Sequence, residues 1–288
     1  MEPMDTYPLT IDLAHKWDDE VDSKIKTSIL SFLPHSTTKS GQSVANETSL
    51  AFKPEHNIGG FLDEVQDICI YTSKYLPANH VSQDRLVEIV KAIRELPERE
   101  EQPQWRNIFG TGSYMLVEAT GEKTTTEADM KNITDRFSLL KTGAQDLCRL
   151  HIDTPENKVR RTYLRNLNAF MARLTRDGIS DCSYQALIAF AQALEKAETY
   201  ATTRTMDVLI VYDWLRLAAE KLMEAEIKDA GVRGELWDDE KRGFSQERWM
   251  FWSKRLEGIE NDAGYEDQAR EVAGKAKQIL EQFLEGDR

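Results

Sequence analysis

The densest run of carboxylates, Asp18-Asp19-Glu20-Val21-Asp22, fits the D-D-x-x-D pattern with which class I terpene synthases hold Mg²⁺ against a diphosphate. Hard cations want oxygen ligands in near-octahedral geometry, and on a helix Asp18 and Asp22 share a face. Val21, however, belongs with Trp17, Ile25, Ile29 and Leu33 in an apolar stripe, which leaves the acids on the solvent side of a first turn. The second metal motif is missing, since Asn261-Asp262 is followed by Tyr265 and Ala269 where a hydroxyl residue and an acid are needed. The histidines, His15, His35, His56, His80 and His151, are scattered without HExxH or a Cys/His pair at ligand spacing. Cys69, Cys148 and Cys182 fall on or beside helical patterns, where an unpaired cysteine acts as a small buried hydrophobe. Gly110-Thr111-Gly112-Ser113 lacks the lysine and flanking strand of a phosphate loop and reads as a turn. No metal and no cofactor is expected.

Two other groups of residues carry more information. Lys158, Arg160, Arg161, Arg165, Arg173 and Arg176 lie in one segment without an acid, and Lys158, Arg161 and Arg165 share a helical face. Such a strip either docks an acidic or phosphorylated partner or is a solvated face balanced by nearby acids. If the helices on either side of Gly178 form a hairpin, facing residues sum to about 357. Glu195, on an apolar stripe with Ile188 and Ala191, then lies near Arg161 and Arg165. Asn166, between Tyr163 and Phe170, is costly to bury alone. The expectation is a polar network of Asn166, Arg161/Arg165 and Glu195 across the hairpin. Further on, Arg248-Trp249-Met250-Phe251-Trp252 sets two indoles three apart on one face, either as core or as a ligand cleft or partner surface.

The elements that must position these residues are helices. Apolar residues recur at steps of three and four almost from end to end, and no convincing strand appears. Pro34, Pro77 and Pro97 close the first three helices, the third capped by Ser82; Ser36 to Glu55, without period, reads as a mobile loop. A helix follows from Thr126 to Leu150, and Thr154, Pro155 and Glu156 form a start signal for one that ends before Gly178. Asp181 and Ser245 cap two more, and the segment from Met206 to Ala230, apolar on most sides early, is expected at the centre. The last helix has a narrow four–three seam suited to pairing between chains or to docking within one. The expected fold class is all-α, an irregular bundle of about nine helices, with room for two lobes. Residues 1–57 are expected as an N-terminal helix and polar loop, 58–288 as the main helical domain, with any lobe junction in 97–125.

Composition limits the classes. The chain of 288 residues has 50 Asp+Glu against 37 Lys+Arg, a net charge of −13, which repels a polyanion and makes a nucleic-acid partner unexpected. With 40% hydrophobic residues it is not wholly disordered. Met1-Glu2-Pro3-Met4-Asp5 lacks a signal-peptide start, and no apolar run reaches the roughly 18–20 residues that cross a bilayer. No membrane association is expected; the location expected is cytoplasmic, with the nucleus left open.

Two stretches resemble a known family. Leu164-Arg165-Asn166-Leu167-Asn168-Ala169-Phe170-Met171-Ala172-Arg173-Leu174, with Tyr184 and Ala193-Leu194-Glu195, looks like the signature of a filamentous-fungal family catalogued as domain of unknown function 3632. Phe244-Ser245-Gln246-Glu247-Arg248-Trp249-Met250-Phe251-Trp252 is similar to its second signature. The resemblance covers roughly residues 60 to 260 and implies a fungal, intracellular, helical protein; it transfers no catalytic residue. Abundant amphipathic helices without a coherent catalytic set favour a non-catalytic interaction or accessory module with a protein partner. The alternative is a binder or enzyme of fungal specialised metabolism, taking a small apolar ligand near Trp249 and Trp252. The candidate binding residues are Arg161, Arg165, Asn166, Glu195, Arg248, Trp249 and Trp252; oligomeric state is not legible.

Overall fold

A computed structural model describes residues 20–33, 38–51, 58–96, 155–197, 204–225, 232–237 and 243–286. Among them are nine α-helices and no strand, so the chain is all-α, an irregular bundle. The carboxylates Asp18 and Asp19, the helix expected from Thr126 to Leu150, the glycine turn at 110–113, Cys148 and the Thr154 cap lie outside the described residues. The chain divides into two compact units, residues 1–126 and 127–288.

In the first unit, α1 (Glu20–Phe32), α2 (Gly41–Ala51), α3 (Ile58–Tyr75) and α4 (Val81–Arg94) bury their apolar stripes against one another. Ile25, Ile29, Phe32 and Leu33 of α1, Val65, Ile68 and Leu76 around α3, and Leu86, Ile89, Val90 and Ile93 of α4 form this core. Helix ends leave carbonyls and N–H groups without intrahelical partners. Three side chains of α4 satisfy them. Ser82 Oγ donates to the Leu33 carbonyl at 2.7 Å, and Gln83 Nε2 donates to Ser73 and Leu76 carbonyls at 3.0 and 2.8 Å. Glu88 Oε1 accepts from the Gly41 N–H, at the start of α2, at 3.0 Å. The capping residue of α4 is therefore His80, whose Nδ1 accepts from the Ser82 N–H at 3.1 Å, rather than Ser82 itself.

Helix α2 corrects the reading of Ser36 to Glu55 as a loop. Its buried face is Gly41, Val44, Ala45, Thr48 and Ser49. Those positions have helical spacing, but polar Thr48 and Ser49 stand where aliphatic residues would have made the period visible.

The second unit holds α5 (Pro155–Arg176), α6 (Ser183–Leu194), α7 (Arg204–Glu224), α8 (Gln246–Asn261) and α9 (Asp267–Gly286). Gly178 ends α5 at φ +65°, with the Ile179 N–H on the Leu174 carbonyl at 2.9 Å and the Gly178 N–H on Thr175 at 3.1 Å. This is the left-handed glycine termination its sequence predicts. Helix α7 is buried on most sides and packs against α5, α6 and α9; a kink at Ala218 (φ −137°, ψ 17°) interrupts it. Arg165 bonds Asp213 and Asn168 bonds Trp214, separations of 48 and 46 residues. A nearly constant separation means that α5 and α7 run parallel. The seam of α9 (Ala269, Val272, Ala273, Ala276 and Leu280) is buried against α7 and α8 of the same chain.

Candidate functional site

The most fully bonded side chain among the described residues is Glu195, the residue that ends α6. Its backbone N–H still reaches the Ala191 carbonyl, but its dihedrals (φ −111°, ψ 0°) turn the chain away and leave the carboxylate pointing inward, with no exposed surface. Ser245 Oγ caps α8 by accepting from the Arg248 N–H at 3.2 Å, which fixes the first turn of that helix. Arg248 and Trp252, four apart, then share the face that meets Glu195. Oε1 accepts from Arg248 Nε at 2.6 Å and Trp252 Nε1 at 2.8 Å. Oε2 accepts from Arg248 Nη2 at 2.9 Å and the Gly234 N–H at 2.8 Å. Arg248 also donates through Nη1 to Gly243 at 2.8 Å and Nη2 to Val232 at 2.9 Å.

Aromatic rings close over this pair. Phe244 stacks on Trp249 at 4.9 Å, Trp249 meets Trp252 edge-on at 4.8 Å, and Phe190 packs on both. The Arg248 guanidinium lies 5.2 Å from the Trp252 ring centre. The segment 232–237 is drawn in by the same carboxylate-bearing residue, because the Leu236 N–H donates to the Glu195 carbonyl at 2.8 Å. A Cβ at Gly234 would lie 2.4 Å from that carbonyl oxygen, so only glycine fits there.

A carboxylate offers about four lone-pair sites and a guanidinium five N–H donors. All four of the former and four of the latter are occupied within the protein. Proton transfer needs a lone pair or proton left over for a substrate, and here the pair has almost none. Its chemistry is structural: a low-dielectric ion pair tying the end of α6, the start of α8 and the intervening segment together. Cys69 and Cys182 are inert for another reason, since burial pushes both thiols up to about 12.

Sequence reasoning foresaw that Glu195 would be buried with a basic partner but named the wrong one. Arg161 and Arg165 do not bond it, and the expected network with Asn166 across the hairpin is not formed. The reason is the packing of α5, which lies mainly along α7 rather than α6. Arg165 Nε donates to Asp213 Oδ2 at 2.7 Å, and Arg216 Nε reaches Oδ1 of the same fully buried carboxylate at 2.8 Å. Arg161 is buried near Asp207, whose carboxyl burial pushes up to about 6 against the pull of Arg204, Arg161 and Lys196. Asn166 is buried within α5; its neighbour Asn168 accepts from Trp214 Nε1 at 2.9 Å. Of the candidates, the structure brings together Glu195, Arg248, Trp249 and Trp252, and leaves Arg161, Arg165 and Asn166 on the α5 side. Asp207 and Asp213 were missed. The available signal was an acid at each end of the run Val208 to Tyr212.

Fold and site together define an all-helical protein whose second unit holds a buried carboxylate–guanidinium clasp. The family model described as protein of unknown function (DUF3632) matches residues 67–256, which include every member of the clasp, and the chain belongs to that family. No curated protein and no solved structure matches the chain. No described helix is long and apolar enough to cross a membrane.

Proposed function

We propose that the chain is a non-catalytic helical interaction or accessory module, working in the cytoplasm of a fungal cell. The observation that carries this reading is the saturation of the Glu195–Arg248 pair: its most elaborate polar centre spends its hydrogen bonds on the protein itself. The rings packed around Trp249 and Trp252, which are 4% and 0% exposed, count against an apolar ligand seated beneath that helix. Apolar surface remains on the outside instead. Leu236 and Met250 are exposed, and each is the chain neighbour of a ring in the Trp237–Phe251 contact. Buried thiols at Cys69 and Cys182 support a reducing compartment.

Reciprocal affinity purification with the wild-type chain and the double variant Leu236→Asp/Met250→Asp tests the proposal. A reproducible partner is expected with the first and its loss with the second, both proteins having the same far-ultraviolet dichroism. A saturable thermal shift with an apolar metabolite, or with a diphosphate plus Mg²⁺, would overturn the reading, because a ligand that binds the folded state raises its stability by mass action.

A further inference from the structure

The outer surface of the clasp carries a patch whose groups the protein does not itself satisfy. Trp237 packs against Phe251 at 5.2 Å between ring centres and joins the segment 232–237 to α8. That segment is held from behind. Arg248 Nη2 donates to the Val232 carbonyl at 2.9 Å, and the Gly234 N–H to Glu195 Oε2 at 2.8 Å. The Leu236 N–H reaches the Glu195 carbonyl at 2.8 Å, and the Trp237 N–H closes a turn onto the Gly234 carbonyl at 3.4 Å. Side chains on the outside of this turn are therefore set in place before any partner arrives. Two of the outer side chains are apolar: Leu236 is 37% exposed and Met250 is 49% exposed.

Two cations border this apolar pair. Arg233 precedes the turn, and Lys254 follows Met250 by four residues and Phe251 by three, on the same face of α8. Both are exposed, and among the described residues neither has a hydrogen bond or an ion pair. Other cations of the unit are matched, since Lys221, Arg270, Lys275 and Lys277 each hold an aspartate or glutamate. The acids beside the patch are already engaged. Glu235 Oε1 accepts from the Ala197 N–H at 2.8 Å, and Glu247 has an interaction of its own.

We propose that Arg233, Leu236, Met250 and Lys254 dock an acidic amphipathic segment of a partner protein. Its apolar side chains cover Leu236 and Met250 while its carboxylates pair with Arg233 and Lys254. The proposal rests on the interaction reading above and adds the chemistry of the partner. A membrane surface fits the patch less well. A uniformly anionic leaflet meets Glu235 and the whole charge of −13, whereas a peptide places its acids singly.

Selection of a random-peptide display library on the immobilised full chain tests this. Recovered peptides are expected to combine Leu, Phe or Met with Asp and Glu. A synthetic consensus peptide is expected to bind Arg233→Ser/Lys254→Ser about five- to tenfold more weakly, the worth of two exposed ion pairs. The reversal Arg233→Glu/Lys254→Glu is expected to select peptides carrying Lys and Arg in place of the acids. All four positions are exposed, so the variants are expected to keep the far-ultraviolet dichroism of wild type. Peptides that need Leu236 and Met250 but show no preference for acids, or bind the serine variant unchanged, would overturn the acidic partner and leave the interaction surface standing. Recovery of no peptide whose binding is lost in Leu236→Asp/Met250→Asp would overturn both. Co-sedimentation with phosphatidylcholine–phosphatidylserine vesicles that depends on Leu236 and Met250 would overturn the peptide in favour of a lipid surface.

Discussion

At the scale of single residues, two of the three buried acids described in the second unit, Glu195 and Asp207, have opposite fates. Glu195 is surrounded by donors, and removing its partner leaves an uncompensated charge in a dry interior. Arg248→Met is therefore expected to cost about 3–5 kcal/mol, whereas Glu195→Leu/Arg248→Met together cost much less than the two single changes added. Urea denaturation of the three variants measures this coupling. Asp207 lacks such donors, and its carboxyl is raised from 3.8 to about 6. The folded state then holds the proton more tightly than the unfolded state between those values. Protonation stabilises the fold below about pH 4, and that contribution is lost as the pH rises through 6. Asp207→Asn is expected to be more stable than wild type by about 2–3 kcal/mol at pH 7, with the difference vanishing near pH 4. Stability curves of both proteins across that range check the sign. That Glu195 needed a basic partner was legible in its apolar stripe. The identity of that partner, 53 residues away, was not, because no local spacing relates the end of α6 to the start of α8.

Elements follow from local rules to differing degrees. The end of α5 was legible because left-handed backbone favours glycine, and Gly178 adopts φ +65° with nothing within 4 Å of an added Cβ. Gly258, inside α8, also has nothing within 4 Å but no positive φ. The same substitution is expected to act oppositely at the two sites. Gly178→Ala destabilises by about 1–2 kcal/mol, while Gly258→Ala stabilises by about 0.5–1 kcal/mol. Thermal melts of the two single variants against wild type decide it. Helix α2 was illegible for the converse reason: its inward face carries Thr48 and Ser49, whose side chains mimic loop composition. Likewise Ser82 was the natural cap by residue type, yet its hydroxyl is spent on the end of α1, a demand no short window of sequence contains.

For the whole molecule, the all-helical class and the central place of α7 could be read from periodicity, because a helix apolar on most sides has nowhere else to go. Which helices flank it could not. Alternation of helix and turn suggests antiparallel neighbours, whereas α7 lies parallel to α5, and its start meets the start of α9 through Arg204–Tyr265 and Thr205–Glu266. The first part of the α9 seam, Tyr265, Ala269, Val272 and Ala276, is buried within the chain, while Ile279 and Phe283 further along are half-buried.

The parallel course of α5 and α7 bears on how the polypeptide acquires its structure during synthesis. Arg165 and Asn168 leave the ribosome 48 and 46 residues ahead of Asp213 and Trp214, and Arg204 leads Tyr265 by 61. At about 5–20 residues per second, α5 waits on the order of seconds for the surface that covers it, and α7 waits again for α9. Nascent chains of this unit thus present greasy flanks to water for an interval that a string of adjacent hairpins would avoid, and holding chaperones have their window there.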